Sequence, residues 1–145
     1  MANFNTIRYN NPYSAAGNFV KISSTTASSD STISFTSGID STYKEYVFYF
    51  VNIHPETDGS EFQFNMSVDS GSNYNVTKTT SFFDAEHNED DSYADIGYQT
   101  GQDLAQSTSF QNLSIDMEAN DSDGSLNGYL HLFNPSSTTF VKHFI

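Results

Sequence analysis

The chemistry this chain could do is concentrated in its carboxylates, histidines and tyrosines. Residues 84–95 carry Asp84, Glu86, His87, Glu89, Asp90, Asp91 and Asp95. Ca²⁺ takes several oxygen ligands at once, so this loop is the candidate Ca²⁺ site. Its spacing matches no dedicated Ca²⁺ loop, and a solvated acidic loop is the plainer account. Asn120-Asp121-Ser122-Asp123-Gly124 resembles part of an EF-hand loop. With Gly124 in the sixth position, the first falls on Ala119 and the twelfth on Leu130. Neither can ligate through its side chain, so an Asx turn is expected instead. Asp116 and Glu118 share the outer face of one expected strand, but paired glycosidase carboxylates must face each other across a cleft.

The histidines are His54, His87, His131 and His143. If Asn134 pairs with Ser137, His131 faces Phe140 and His143 faces Gly128, so no zinc pair is expected. There is no Gly-Xaa-Ser-Xaa-Gly elbow and no phosphate loop. The sequons at Asn65, Asn75, Asn112 and Asn120 carry little meaning without a secretory signal. Tyr9, Tyr13, Tyr93 and Tyr98 could stack on sugar rings, since tyrosine offers a large contact area at low entropic cost. Tyr93 and Tyr98 are the candidate glycan contacts. The residues themselves point to no reaction, so the expectation is a protein that is not an enzyme and needs no cofactor.

Composition narrows the partners. The chain has 145 residues, a net charge of -13 and only five Lys and Arg, which argues against nucleic-acid or anionic-membrane binding. It has no Cys, hence no disulfide framework and no thiolate metal site. Aromatics make up 15% of residues, which argues for a folded core beneath a polar surface. The N-terminus lacks a basic region followed by an apolar segment, so no secretory signal is expected. No run reaches the ~20 apolar residues of a membrane helix.

The elements that must position these groups are strands. The most apolar run is 43–54. Val47, Tyr49, Val51 and Ile53 form one row and Tyr46, Phe48 and Phe50 the other. Both rows are apolar, which predicts a strand covered on both faces. Further strands are predicted at 19–25, 32–36, 61–68, 74–83, 96–100, 110–119, 126–133 and 139–145. The 61–68 strand should pair with the central one through the turn at Asp58-Gly59. A bulge is predicted near 111–112, where the apolar parity changes. About nine short strands and no long helix read as an all-β antiparallel β-sandwich of jelly-roll type. Residues 1–17 read as an extended N-terminal arm and 18–145 as the sandwich domain. Within the arm, Phe4, Ile7, Tyr9 and Tyr13 are candidates for docking on a neighbouring subunit. The sequence stops at Ile145 inside an apolar strand. The expectation is that further strands are missing or that a neighbour covers the open edge.

Several segments carry a resemblance. Phe35-Thr36-Ser37-Gly38-Ile39-Asp40-Ser41-Thr42-Tyr43 leads into the aromatic strand, which ends at Ile53-His54-Pro55-Glu56-Thr57-Asp58. Gly71-Ser72-Asn73-Tyr74-Asn75, Asp103-Leu104-Ala105-Gln106 and His131-Leu132-Phe133-Asn134-Pro135-Ser136-Ser137 follow. Together they resemble virion structural proteins of marine tailed phages, especially cyanophage-like ones, of the tail-fibre type. The resemblance covers roughly 19–145. It implies a β-sandwich used in virion assembly, as capsid decoration, fibre or tail appendage. It further implies self-association, with a trimer as the first guess, contact with other virion proteins, and assembly in the host cytoplasm. A receptor-binding module that contacts a host-surface glycan is the alternative.

Overall fold

The computed structural model describes residues 19–120 and 124–145. The chain divides into two units, one ending at Ile33 and the other running from Ser34 to Ile145. In the first unit, residues 19–33 form no strand. Serine and threonine dominate here, and the Asp30 carboxylate accepts the Ser28 N–H at 3.1 Å. The strands predicted at 19–25 and 32–36 are therefore absent.

The second unit is all-β, with antiparallel sheets. Its strands are β1 (Glu45–Ile53), β2 (Ser60–Phe64), β3 (Phe83–His87), β4 (Ala94–Tyr98), β5 (Gln111–Met117), β6 (Leu126–Phe133) and β7 (His143–Phe144), with a 3-10 turn at Thr100–Gln102. They form a three-stranded sheet in the order β1-β6-β7 and two separate pairs, β2-β5 and β3-β4.

The β1–β6 pair organises this unit. Tyr46 lies opposite Leu132, Phe48 opposite Leu130, and Tyr49 opposite Tyr129. Alternation sends Tyr46, Phe48, Phe50, Leu130 and Leu132 to one face. Among the described residues, Tyr46, Leu130 and Leu132 are the buried apolar ones. Aromatic rings carry this face onto its surroundings. Phe50 meets Phe62 of β2 edge-on at 4.9 Å, Phe64 meets Phe144 of β7 the same way, and Phe35 lies 5.8 Å from Phe48. At the start of β1 the Tyr46 hydroxyl accepts the Asp40 N–H at 2.9 Å and lies 3.0 Å from the Asp40 carbonyl oxygen. That ties the incoming loop to the core.

Four predicted pairings and extents change. The 61–68 strand ends at Phe64, and it pairs with β5 rather than with β1. A hairpin needs a tight connection, and Pro55 to Gly59 instead swing the chain into the second sheet. Residues 74–82 form no strand beyond a single bridge between Lys78 and Ser107. The acidic stretch 84–95 folds as the β3–β4 ribbon, not as a loop. The last strand shrinks to two residues. In β5 the register slips between Asn112 and Ser114, close to the predicted bulge, and again before Met117, where Asp116 takes φ 50°.

Removing the Tyr46 hydroxyl strands a part-buried N–H. Tyr46→Phe should cost about 1–2 kcal/mol, and Leu132→Ala about 2–5 kcal/mol. Urea unfolding will read both as a lower midpoint at an unchanged slope. A Tyr46→Phe midpoint equal to that of the parent would show that the corner does not hold β1.

Candidate functional site

The second row of β1 is partly exposed. Val47, Tyr49 and Val51 share the outer face of the β1-β6-β7 sheet with Tyr129, His131 and Phe133 of β6. His143 lies opposite Phe133, and paired 2.7 and 3.1 Å backbone bonds set Ile145 opposite His131. Tyr49 is 61% exposed, Val51 68%, Tyr129 66% and Ile145 79%. The prediction of a strand buried on both faces is thus corrected: two mutually apolar rows cannot report how many layers a sheet has.

This face is ordered as well as exposed. Tyr49 and Tyr129 form a cross-strand ring pair 6.4 Å apart. Along β6, Tyr129 meets the His131 ring edge-on at 5.2 Å, and His131 stacks on Phe133 at 5.9 Å. His131 Nδ1 is hydrogen-bonded to the Glu45 carboxylate. Among the described residues of the face, Glu45 is the one carboxylate.

The β3–β4 ribbon is a second open surface. Its register places Phe83, Ala85, His87, Ala94, Ile96 and Tyr98 on one side and Asp84, Glu86 and Asp95 on the other. Phe83 and Tyr98 stack at 4.9 Å. The Tyr98 hydroxyl donates to Asp103, and that bond raises the Tyr98 pKa. The negative charge of Asp95, ahead of burial and of Glu86 and Asp84, raises that of Tyr93. Asp84 Oδ1 accepts from Gln99 at 3.0 Å, while its buried Oδ2 has no hydrogen-bond partner.

Sequence-predicted site residues fall in different places. Tyr93 and Tyr98 are both about half exposed, Tyr98 on β4 and Tyr93 just before it. Phe4, Ile7, Tyr9 and Tyr13 lie outside the described residues, as do Asp121, Ser122 and Asp123. The carboxylates of 84–95 are spread over two strands and their turn. Among the described residues no group of three or more His, Asp or Glu could hold a metal. The expected facing of His131 with Phe140 and His143 with Gly128 is replaced by His131 with Ile145 and His143 with Phe133. Asn134 does turn onto Ser137, but residues 138–142 then run irregularly before β7 starts. Asp116 and Glu118 are exposed.

Sequence reasoning missed one buried charge. Lys78 is 4% exposed. Its ammonium donates to Asn65 Oδ1 at 2.6 Å and to the Val76 carbonyl at 2.9 Å. Asn65 also accepts the Met66 N–H at 2.8 Å, and it donates to the Tyr74 and Thr108 carbonyls at 2.7 and 3.0 Å. A partly buried amide cluster continues from here. Thr80 donates to Gln111, and Asn112 binds Gln102 and Gln63. The signal for Lys78 was its place in the apolar row Tyr74, Val76, Thr80, Phe82.

No family model, curated protein or solved structure matches this chain. Among the described residues, no helix is long and apolar enough to cross a membrane.

Burial holds Lys78 below the ordinary lysine pKa. Between that lowered value and 10.5 the unfolded chain carries more protons, so stability rises with pH across this window and the burial penalty is fully present below it. Lys78→Met should therefore be neutral or stabilising at pH 7, and its advantage should shrink as pH climbs toward 10.5. Asn65→Ala leaves the ammonium under-satisfied and should cost about 2–4 kcal/mol at pH 7. Urea midpoints measured from pH 7 to 10.5 test both. A Lys78→Met difference that does not move with pH would contradict the buried charge.

Proposed function

We propose that this chain is a non-enzymatic structural subunit that acts by self-assembly, its sheets completed into a β-sandwich of jelly-roll type by neighbouring subunits. The observation that carries this reading is the thinness of the core. Among the described residues only Tyr46, Leu130 and Leu132 are buried apolar side chains, and no large side chain is fully buried. Large hydrophobes crowd the surface instead, many of them on the β1-β6-β7 face and the β3–β4 ribbon. A 145-residue domain normally buries about two-thirds of its unfolded surface, and contiguous exposed apolar patches mark interaction sites.

The sequence resemblance to virion proteins of marine tailed phages supports a virion as the setting, with other virion proteins as further partners. The proposed role there is capsid decoration, fibre or tail appendage. The high negative charge fits this use, because it keeps unassembled subunits soluble until specific faces meet. The arm residues Phe4, Ile7, Tyr9 and Tyr13 are proposed to add a second contact between subunits, consistent with a trimer. A second reading, glycan binding at the virion surface, draws on the exposed Tyr93 and Tyr98 at the ribbon. Under that reading Tyr93→Ala with Tyr98→Ala abolishes binding on a glycan array and leaves the assembly state unchanged.

Light scattering on the full chain and on residues 18–145 tests the assembly reading. The full chain should give a defined oligomer, several-fold heavier than 16.1 kDa, and loss of the arm should weaken it. A full chain that stays at 16.1 kDa at every concentration would rule out self-assembly in free solution.

A further inference from the structure

We propose that the β3–β4 ribbon is a docking arm for a cationic, extended segment of another protein, which adds as a strand along β3. The proposal goes beyond self-assembly, because the occupant is not a copy of this chain. It rests on the ribbon's backbone, its apolar side and its charge.

The backbone comes first. At the two ends of the ribbon, Gln99 N–H donates to the Phe82 carbonyl and Asn88 N–H to the Tyr93 carbonyl, both at 2.9 Å. An antiparallel ladder alternates hydrogen-bonded and non-hydrogen-bonded pairs. Asp84 with Gly97 and Glu86 with Asp95 are therefore the bonded pairs. The N–H and C=O groups of Phe83, Ala85 and His87 then point away from β4. Among the described residues, no further strand meets that edge. A two-stranded ribbon is marginal alone, and an open edge is a template for another strand.

Phe83, Ala85 and His87 also lie on the apolar side of the ribbon, with Ala94, Ile96 and Tyr98. Phe83 is 70% exposed and Ile96 84%. Asp84 and Glu86 lie on the other side. A strand added antiparallel to β3 sets one row of its side chains beside Phe83 and Ala85. Its other row falls opposite Asp84 and Glu86, at the non-hydrogen-bonded positions where cross-strand side chains come closest.

Charge decides the occupant. The ribbon and its turn carry Asp84, Glu86, Glu89, Asp90, Asp91 and Asp95, and residues 83–98 hold no Lys or Arg. Among the described residues, the ribbon's ion pair is His87 with Asp91 at 3.1 Å, which leaves Asp84, Glu86 and Asp95 without a cation. A second copy is a poor match. It offers five Lys and Arg against eighteen Asp and Glu, and one of the five, Lys78, is buried. Its own ribbon would set carboxylate against carboxylate, which destabilises a cross-strand pair. A segment that alternates Lys or Arg with Val, Ile or an aromatic residue satisfies both rows and bonds the open edge.

Fluorescence anisotropy on the full chain tests this, with a labelled synthetic peptide alternating lysine and valine as the probe. A peptide of the same composition with its lysines grouped at one end is the comparison. The alternating peptide should bind about tenfold more tightly than the grouped one. Ala85→Pro removes an outward N–H and leaves the β3–β4 bonds in place. It should weaken the alternating peptide by about tenfold, and so should Glu86→Lys, a change at an exposed position. Glu56→Gln, exposed and outside the ribbon, should change nothing. Far-UV circular dichroism checks that each variant is folded. Equal binding of the two peptides, or a folded Ala85→Pro that binds like the parent, would reduce the effect to bulk charge attraction and overturn the proposal. So would an alternating peptide that does not bind. If Ala85→Pro instead lowers the mass of an assembled parent that ignores the peptide, a second copy holds this edge; the cationic occupant is then overturned and the assembly reading stands. A monomeric chain that binds the peptide as expected supports the docking arm and overturns the assembly reading alone.

Discussion

The register between β1 and β6 is the constraint from which the remaining arrangement follows. Pairing Tyr49 with Tyr129, and Tyr46 with Leu132, fixes the side of the sheet on which every aromatic residue falls. A slip of β6 by one residue against β1 would turn Tyr129 and His131 toward Phe62 and Phe64 and send Leu130 and Leu132 to the outer face. Both ends of β1 are tied down. The Tyr46 hydroxyl bonds Asp40 before the strand, and Asn52, at φ 53° within the register shift between Phe50 and Ile53, donates its N–H to the Asn127 side chain. The exposed aromatic ladder is thereby as well specified as the core beneath it. Its order comes from the same backbone pairing.

A second, polar centre holds the segments that have no strand partner. Residues 74–82 follow an irregular path, yet their carbonyls and amides are not idle. Lys78 and Ser107 exchange two backbone bonds, Thr80 N–H reaches the Leu104 carbonyl, and Phe82 N–H reaches Asp103. The Lys78–Asn65 link and the Gln63, Gln102, Gln111 and Asn112 amides knit β2 and β5 to this segment. Such networks specify geometry more than they stabilise it, because each member surrenders hydration on burial. With few buried apolar residues among the described ones, this unit relies on hydrogen-bonded fit to an unusual degree.

Particular residues show what could be read in advance. The strand at β1 was legible from a run of aromatic and β-branched residues bounded by a proline, and β6 from Leu126, Leu130 and Leu132. The all-β class followed from many short alternating runs with no helical period. Pairing was less legible. Alternation tells which residues share a face but not which strand lies alongside, so β2 went to β5 instead of β1. The acidic ribbon was obscured because Glu and Asp are poor strand formers, although Phe83, Ala85, Ile96 and Tyr98 keep a period of two within it. The burial of Lys78 was not legible, because lysine is almost never fully buried and its place in an alternating row does not say that the row is covered. The exposure of Val51 and Tyr129 was hidden for the opposite reason: apolar side chains look buried in a sequence whether or not anything covers them. The arm residues Phe4, Ile7, Tyr9 and Tyr13 lie outside the described structure and rest on sequence alone.

Hydroxyl-radical footprinting of the tyrosines, across a concentration series of the full chain, tests the central claim most directly. If subunits assemble through their exposed apolar surface, oxidation of the exposed tyrosines, Tyr129 on β6 and Tyr93 and Tyr98 at the ribbon, should fall at one or more positions as the protein associates. A sample that associates while all three stay as reactive as in the dilute monomer would contradict the account.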